Sequence, residues 1–152
     1  MSSKKNNINT KNKYFMNLAL KQAARSLGNT GTNPPVGSVI TDKKGNLISF
    51  GRTGSKGKPH AEFNAIKNSQ KKLTNCNMFV TLEPCIMCAA AISEAHISRV
   101  YFGAYDEKKG SLESIMKIYN EKHYFIPDVY GGINEIECSK LLKNFFQDQR
   151  NK

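Results

Sequence analysis

Two short segments, His60-Ala61-Glu62 and Pro84-Cys85-Ile86-Met87-Cys88, constrain this chain more than anything else in it. One imidazole and two thiolates fill three of the four tetrahedral positions around Zn²⁺. A missing fourth protein ligand leaves room for water, which separates a catalytic zinc from a structural one. Glu62 lies two residues from His60 and is not needed as a ligand, so its carboxylate is free to reach that water. A lone C-x-x-C is also compatible with a redox pair or half of a structural zinc site. The upstream H-x-E and the lack of a second C-x-x-C favour the catalytic reading.

Both segments fall at predicted helix starts. Pro59 precedes His60 and Pro84 precedes Cys85, and proline fits the first turn of a helix. Cys85 and Cys88 are three apart, which puts both thiols on one helix face. A helix N-terminus carries partial positive charge and favours the thiolate that a metal needs. Two thiolates balance the charge of the dication, and the zinc still acidifies its water toward a pKa of about 7. Glu62 can take the water proton and return it to a substrate.

The surrounding periodicities give the frame. Residues 14–27 place Phe15, Leu18, Ala19, Leu20, Ala23 and Leu27 at helical spacing, and Gly28 ends the run. Residues 36–41 and 47–50 read as strands joined by a turn over 42–46. Residues 60–70 and 84–95 read as helices, 78–82 and 99–103 as strands, 112–119 as helical and 128–133 as extended. The last helix, 135–149, carries Ile136, Cys138, Leu141, Leu142, Phe145 and Phe146. Strands alternating with helices imply an α/β fold with helices on both faces of a sheet. The expected organisation is a disordered basic tail over 1–13 and one domain over 14–152.

The remaining composition narrows the setting. No stretch approaches the roughly 20 apolar residues of a membrane span, and the polar N-terminus has no secretory pattern. Four cysteines, two of them in a close pair, point to metal use more than to a disulfide framework, with the cytoplasm as the default location. The net charge of +11 suits a nucleic-acid partner. Nineteen lysines against four arginines, with much Asn, would equally follow from an AT-rich genome. His96 and His123 read as surface or cap residues, Cys76 and Cys138 as small hydrophobes, and Met87 as packing. Phe145 and Phe146, with Lys143 and Arg150, could face nucleic acid; the alternative is a last helix whose aromatics dock on the core.

H-x-E…P-C-x-x-C is the pattern of zinc deaminases acting on nucleobases, and at these residues the chain resembles the cytidine deaminase-like superfamily over nearly all its length. The second half is similar to bacterial tRNA-specific adenosine deaminases. The matching runs are Thr81-Leu82-Glu83-Pro84-Cys85-Ile86-Met87-Cys88-Ala89-Ala90-Ala91-Ile92, Tyr101-Phe102-Gly103-Ala104 and Lys109-Gly110-Ser111-Leu112. Asp128-Val129-Tyr130-Gly131-Gly132-Ile133 and the final helix through Arg150 match as well. The first half resembles the pyrimidine deaminase domain of riboflavin biosynthesis, through Asn33-Pro34-Pro35-Val36-Gly37 and Gly57-Lys58-Pro59-His60-Ala61-Glu62. Thr53 stands where the tRNA enzymes usually carry a substrate-contacting Asn.

The resemblance implies a three-layer α/β/α sandwich around a mixed central sheet. It implies one Zn²⁺ per subunit on His60, Cys85 and Cys88, with Glu62 as catalytic proton shuttle. The implied reaction is hydrolytic deamination of adenosine to inosine at the wobble position of a tRNA anticodon stem-loop, by a homodimer. The alternative is deamination of a small molecule, either the riboflavin-pathway pyrimidine or a free nucleobase or nucleoside. Asn33, Thr53, Phe145, Phe146 and Arg150 are the candidate substrate contacts.

Overall fold

The computed structural model describes residues 2–122 and 124–152. Its elements, in chain order, are α1 (Ser2–Arg25), β1 (Gly37–Thr41), β2 (Leu47–Arg52), α2 (Ala61–Ser69), β3 (Asn77–Leu82), α3 (Ile86–Glu94), β4 (Arg99–Ala104), β5 (Asp128–Tyr130) and α4 (Glu135–Arg150). The five strands form one sheet in the order β2-β1-β3-β4-β5. β1 pairs antiparallel with both β2 and β3, whereas β3–β4 and β4–β5 are parallel. The sheet is therefore mixed, as expected.

Strand alternation sorts the core into two halves. Ile40, Met78, Val80, Val100 and Phe102 face α2 and α3 and pack with Ala61, Ala65, Ala89 and Ile92. Val39, Phe79 and Tyr101 face the other way and pack with Met16 and Ala19 of α1 and Cys138 of α4. Three layers result. Both sides of β1, β3 and β4 are buried, which is why these strands read as near-continuous apolar runs.

The helices approach the sheet closely. A Cβ on Gly37 would lie 1.8 Å from the Ala19 carbonyl oxygen of α1, and one on Gly51 would lie 2.4 Å from both the Ala61 oxygen and the Ala65 nitrogen of α2. Glycine on the strand and alanine on the helix let the backbones meet.

Two expectations are corrected. The polar segment read as a disordered tail is helical from Ser2. It holds no glycine or proline, and extending a helix already docked through Met16, Ala19 and Ala23 costs little once the nucleus exists. Asn134 also donates to the Lys13 carbonyl at 3.2 Å and to Asn17 Oδ1 at 3.0 Å. Residues 112–119 are turns followed by a short 3-10 helix, Ile118–Asn120, rather than an α-helix. The N–H groups of Ile115 and Ile118 do not reach back four residues: Ile115 donates to the Gly110 carbonyl at 2.8 Å and Ile118 to the Ser111 carbonyl at 2.9 Å, which closes wide turns. Tyr119 then ties the segment to α3 by donating to the Ala89 carbonyl at 2.9 Å.

Candidate active site

His60 and Cys85 occupy equivalent places. Each is the N-cap of its helix, in extended conformation (φ −68°, ψ 158° and φ −75°, ψ 173°), and neither side chain caps its own helix. The two prolines thus precede the N-caps rather than fill the first turns. Cys88 follows on the first turn of α3. The His60 Nδ1 atom lies 3.5 Å from Cys85 Sγ and 3.5 Å from Cys88 Sγ. Ordinary Zn–N and Zn–S lengths at a tetrahedral angle place N and S roughly 3.6 Å apart. All three donor atoms lie within 4.8 Å of one another, so this donor set fits a zinc ion.

The electrostatics favour the same use. The Cys85 thiol is pulled down to about 4, chiefly by the hydrogen bond from Cys88, against burial and with help from His60 and the Cys88 backbone N–H. Cys88, the buried donor of the pair, is pushed up correspondingly. Hydrogen bonding to Cys85 raises His60, with burial opposing and the Glu62 charge adding to the rise.

Glu62 sits in the first turn of α2 and is 4% exposed. Burial pushes its carboxyl up to about 7, against hydrogen bonds from its own backbone N–H and from Cys88. A carboxyl poised there can both take and give a proton near neutral pH.

His60, Cys85 and Glu62 line a cavity of about 520 Å³, its open mouth included, together with Asn33, Thr53, Asp106 and Lys109. Asn33 is positioned by donating Nδ2 to the Gly57 carbonyl at 3.3 Å. The Thr53 hydroxyl accepts the Val36 N–H at 2.9 Å, which commits it to bracing the cavity wall. A second, wider groove adjoins the first and shares Pro34, Leu82 and Asp106 with it. Phe146, Lys143 and Arg150 of α4 line this groove, with Tyr105 and Lys108 opposite. Phe145 is 6% exposed and lines neither space. Neighbouring positions on a helix diverge by about 100°, so the pair splits between core and groove.

One functional side chain escaped the sequence reading. Glu83 is 2% exposed. It accepts the backbone N–H groups of Asp106 (3.2 Å), Leu112 (3.1 Å), Glu113 (2.8 Å) and Ser114 (3.0 Å), and the Ser114 hydroxyl. Burial alone would raise its pKa; the hydrogen bonds outweigh that and hold it below the ordinary glutamate value. Glu83 thus ties the turn bearing Cys85 to the loop that brings Asp106 and Lys109 to the cavity. A Glu directly before Pro-Cys was visible, but its partners lie more than twenty residues away in sequence.

The other expectations resolve simply. His96 follows α3 in the left-handed region (φ 58°), its ring 4.7 Å from that of Phe125, as a cap residue would be. His123 lies outside the described residues. Cys76 and Cys138 are buried. Met87 is 67% exposed, so it does not pack as expected. No helix among the described residues is long and apolar enough to cross a membrane.

Three ligands without a fourth, beside a buried carboxylate at two converging helix N-termini, are the layout of zinc enzymes that hydrolyse the exocyclic C–N bond of a nucleobase. Comparison with known proteins agrees. The model of the cytidine and deoxycytidylate deaminase zinc-binding region matches residues 9–104, and the chain belongs to that family. It is a zinc-dependent hydrolytic deaminase. It is 38% identical to a tRNA-specific adenosine deaminase of Agrobacterium fabrum over 90% of this chain and 95% of that one. A solved structure from studies of adenosine-to-inosine editing by tRNA wobble-position deaminases superposes with a TM-score of 0.72 at 34% identity, covering 85% of this chain and 99% of that chain. The diaminohydroxyphosphoribosylaminopyrimidine deaminase/5-amino-6-(5-phosphoribosylamino)uracil reductase of Thermotoga maritima superposes with a TM-score of 0.77 at 31% identity, covering 91% of this chain and 41% of that one.

Proposed function

We infer that the protein converts adenosine to inosine at the wobble position of a tRNA anticodon stem-loop. The observation that carries this reading is the shape of the site. The cavity beside His60, Cys85 and Glu62 adjoins a groove lined by Phe146, Tyr105, Lys143 and Arg150. A free small molecule has no use for that groove, whereas an RNA loop needs both a cavity for its flipped base and a basic, aromatic path for its flanks. The near full-length similarity to enzymes named tRNA-specific adenosine deaminases supports it.

In this reading His60, Cys85 and Cys88 hold zinc, one ion per subunit. The metal, when bound, supplies Lewis-acid activation of water near neutral pH. Glu62 moves the protons: its carboxylate takes one from the attacking water and delivers it to the ring nitrogen, and a second passes to the departing ammonia. Water and adenosine are consumed; inosine and ammonia leave. Asn33 orients the base or ribose, Thr53 braces the wall behind it, and Phe146 and Arg150 hold the flanking nucleotides. A homodimer in the cytoplasm is part of the proposal; Phe63, Ile86 and Met87, exposed on α2 and α3, offer apolar surface for a second copy.

The test is to incubate the zinc-loaded protein with anticodon stem-loops carrying a wobble adenosine and to assay for inosine. No product from any of them sinks the proposal. Asn33 and the Gly57 loop, together with the pyrimidine deaminase superposition, favour a riboflavin-pathway pyrimidine as the second reading. Ammonia release from that pyrimidine, with none from tRNA, would select it.

A further inference from the structure

The sheet carries a second ordered surface at the end opposite the catalytic cavity. The cavity lies where β3 finishes, at Leu82 and Glu83, and this surface lies where β3, β4 and β5 begin. Phe79, Tyr101 and Tyr130 are register partners on those three adjacent strands. Their rings form a column. Phe79 and Tyr101 have centroids 4.7 Å apart and planes 7° apart; Tyr101 and Tyr130 are 4.9 Å and 16° apart. Phe15 of α1 closes the inner end, 5.2 Å from Phe79. At the outer end the column is open. β5 is the edge strand, so no further strand covers the far face of Tyr130, which is 44% exposed.

The groove along this column has a volume of about 1190 Å³, its open side included, and its lining includes Lys11, Lys43, Lys44 and Arg99. Arg99 is opposed by its register partner Asp128. Asp42 stays charged and interacts with Lys44, but the groove lining itself holds four cations and, among the described residues, no carboxylate. Asp42 accepts the Lys44 and Asn46 N–H groups, both at 2.9 Å, and the Asn46 amide at 3.0 Å. An aromatic platform with one open face, flanked by cations, is the arrangement that binds single-stranded nucleic acid without sequence preference.

We propose that this groove binds a single-stranded segment of RNA, with one base stacked on the outer face of Tyr130 and neighbouring phosphates on Lys11, Lys43 and Lys44. That the RNA is the substrate itself rests on the tRNA reading above; binding at the groove does not. Phe79 stands three residues back from Leu82 on β3, about 10 Å along the strand, and Tyr130 lies two strands, about another 10 Å, across the sheet from it. One RNA engaging both must extend well beyond the base in the catalytic cavity.

The experiment uses the zinc-loaded full chain and a fluorescent oligouridine of about a dozen nucleotides, which offers no adenine to the catalytic cavity. Binding is read by anisotropy. Tyr130→Ser is expected to weaken binding at least fivefold, the lower end of what one base–aromatic stack contributes. Lys43→Glu with Lys44→Glu is expected to weaken it similarly and to flatten the salt dependence by about 1.4 in log–log slope. Cross-linking of thiouridine-substituted RNA should map to the Tyr130 peptide. Affinities within twofold of wild type in both variants, or cross-links confined to Tyr105 and α4, would overturn the proposal. Inosine formation on stem-loops is measured in parallel. Its absence together with a Tyr130 cross-link would refute the tRNA deaminase reading and leave this one standing.

Discussion

Replacing Glu83 tests how the cavity is assembled. Its carboxylate is the shared acceptor for four backbone N–H groups and one hydroxyl drawn from Asp106 through Ser114. In Glu83→Ala those donors lose their partner together. A buried donor left unsatisfied costs about 1–3 kcal/mol, and water can reach some of them as the loop relaxes. Two or three uncompensated donors give a loss of about 3–5 kcal/mol, a large part of the about 5–15 kcal/mol that holds a domain folded. Glu83→Gln keeps the shape but turns an amide NH₂ toward donors, and about 2 kcal/mol is expected. Denaturant unfolding of the zinc-loaded protein measures both. A purely structural role would end there, but the loop carries Asp106 and Lys109 into the cavity. KM should therefore rise more than kcat falls in Glu83→Gln, with zinc still at one ion per chain. A Glu83→Ala protein within about 1 kcal/mol of wild type would refute this reasoning, as would a Glu83→Gln enzyme with unchanged KM.

Other perturbations separate the remaining parts. Glu62→Ala should retain zinc by elemental analysis and lose about 10²-fold or more in kcat, whereas Cys85→Ala should lose the metal; an active Glu62→Ala enzyme contradicts the assigned proton path. Gly51→Ala places a Cβ 2.4 Å from backbone atoms of α2; unfolding should show a loss of about 2–3 kcal/mol, and competition with a chelator should show weaker zinc binding, because α2 carries His60 and Glu62 away as it shifts. Burial pushes the Cys138 thiol up to about 12, so above its unfolded value of about 8.5 the unfolded chain loses a proton that the native chain keeps, and stability falls as pH rises. From pH 8.5 to 10 that contribution amounts to between about 1 and 2 kcal/mol, measurable as the difference in pH slope between wild type and Cys138→Ala.

The zinc ligands were legible because their chemistry is local. A His, a Glu two residues on and a C-x-x-C state a donor set without reference to the rest of the chain. The layers were legible because Val39 and Ile40, or Phe79 and Val80, alternate between two apolar environments. What stayed hidden depends on partners distant in sequence. Residues 112–119 carry a credible helical pattern, yet Glu83 anchors their start and the N–H groups of Ile115 and Ile118 go to Gly110 and Ser111 in wide turns. The start of α1 has too little apolar character to announce a helix, and it is carried by the docked turns that follow. Phe145 and Phe146 looked alike as letters, and only their angular placement on α4 divides them.

Strand direction has a consequence for how such a site can change. β2 and β3 each oppose β1 and so point the same way. The chain leaves both of them at one rim of the sheet, and there α2 and α3 begin. The Gly54–Pro59 turn and the loop from Tyr105 to Ser114 emerge at that rim too. The metal donors are fixed by the two strands, while the segments that bring Gly57, Asp106 and Lys109 to the cavity hang from them. Lengthening or rewriting those segments alters what is recognised without moving a ligand. Within such a frame, a chain can approach His60 as a pyrimidine enzyme does and run through Cys88 as a tRNA enzyme does, with no conflict at the metal.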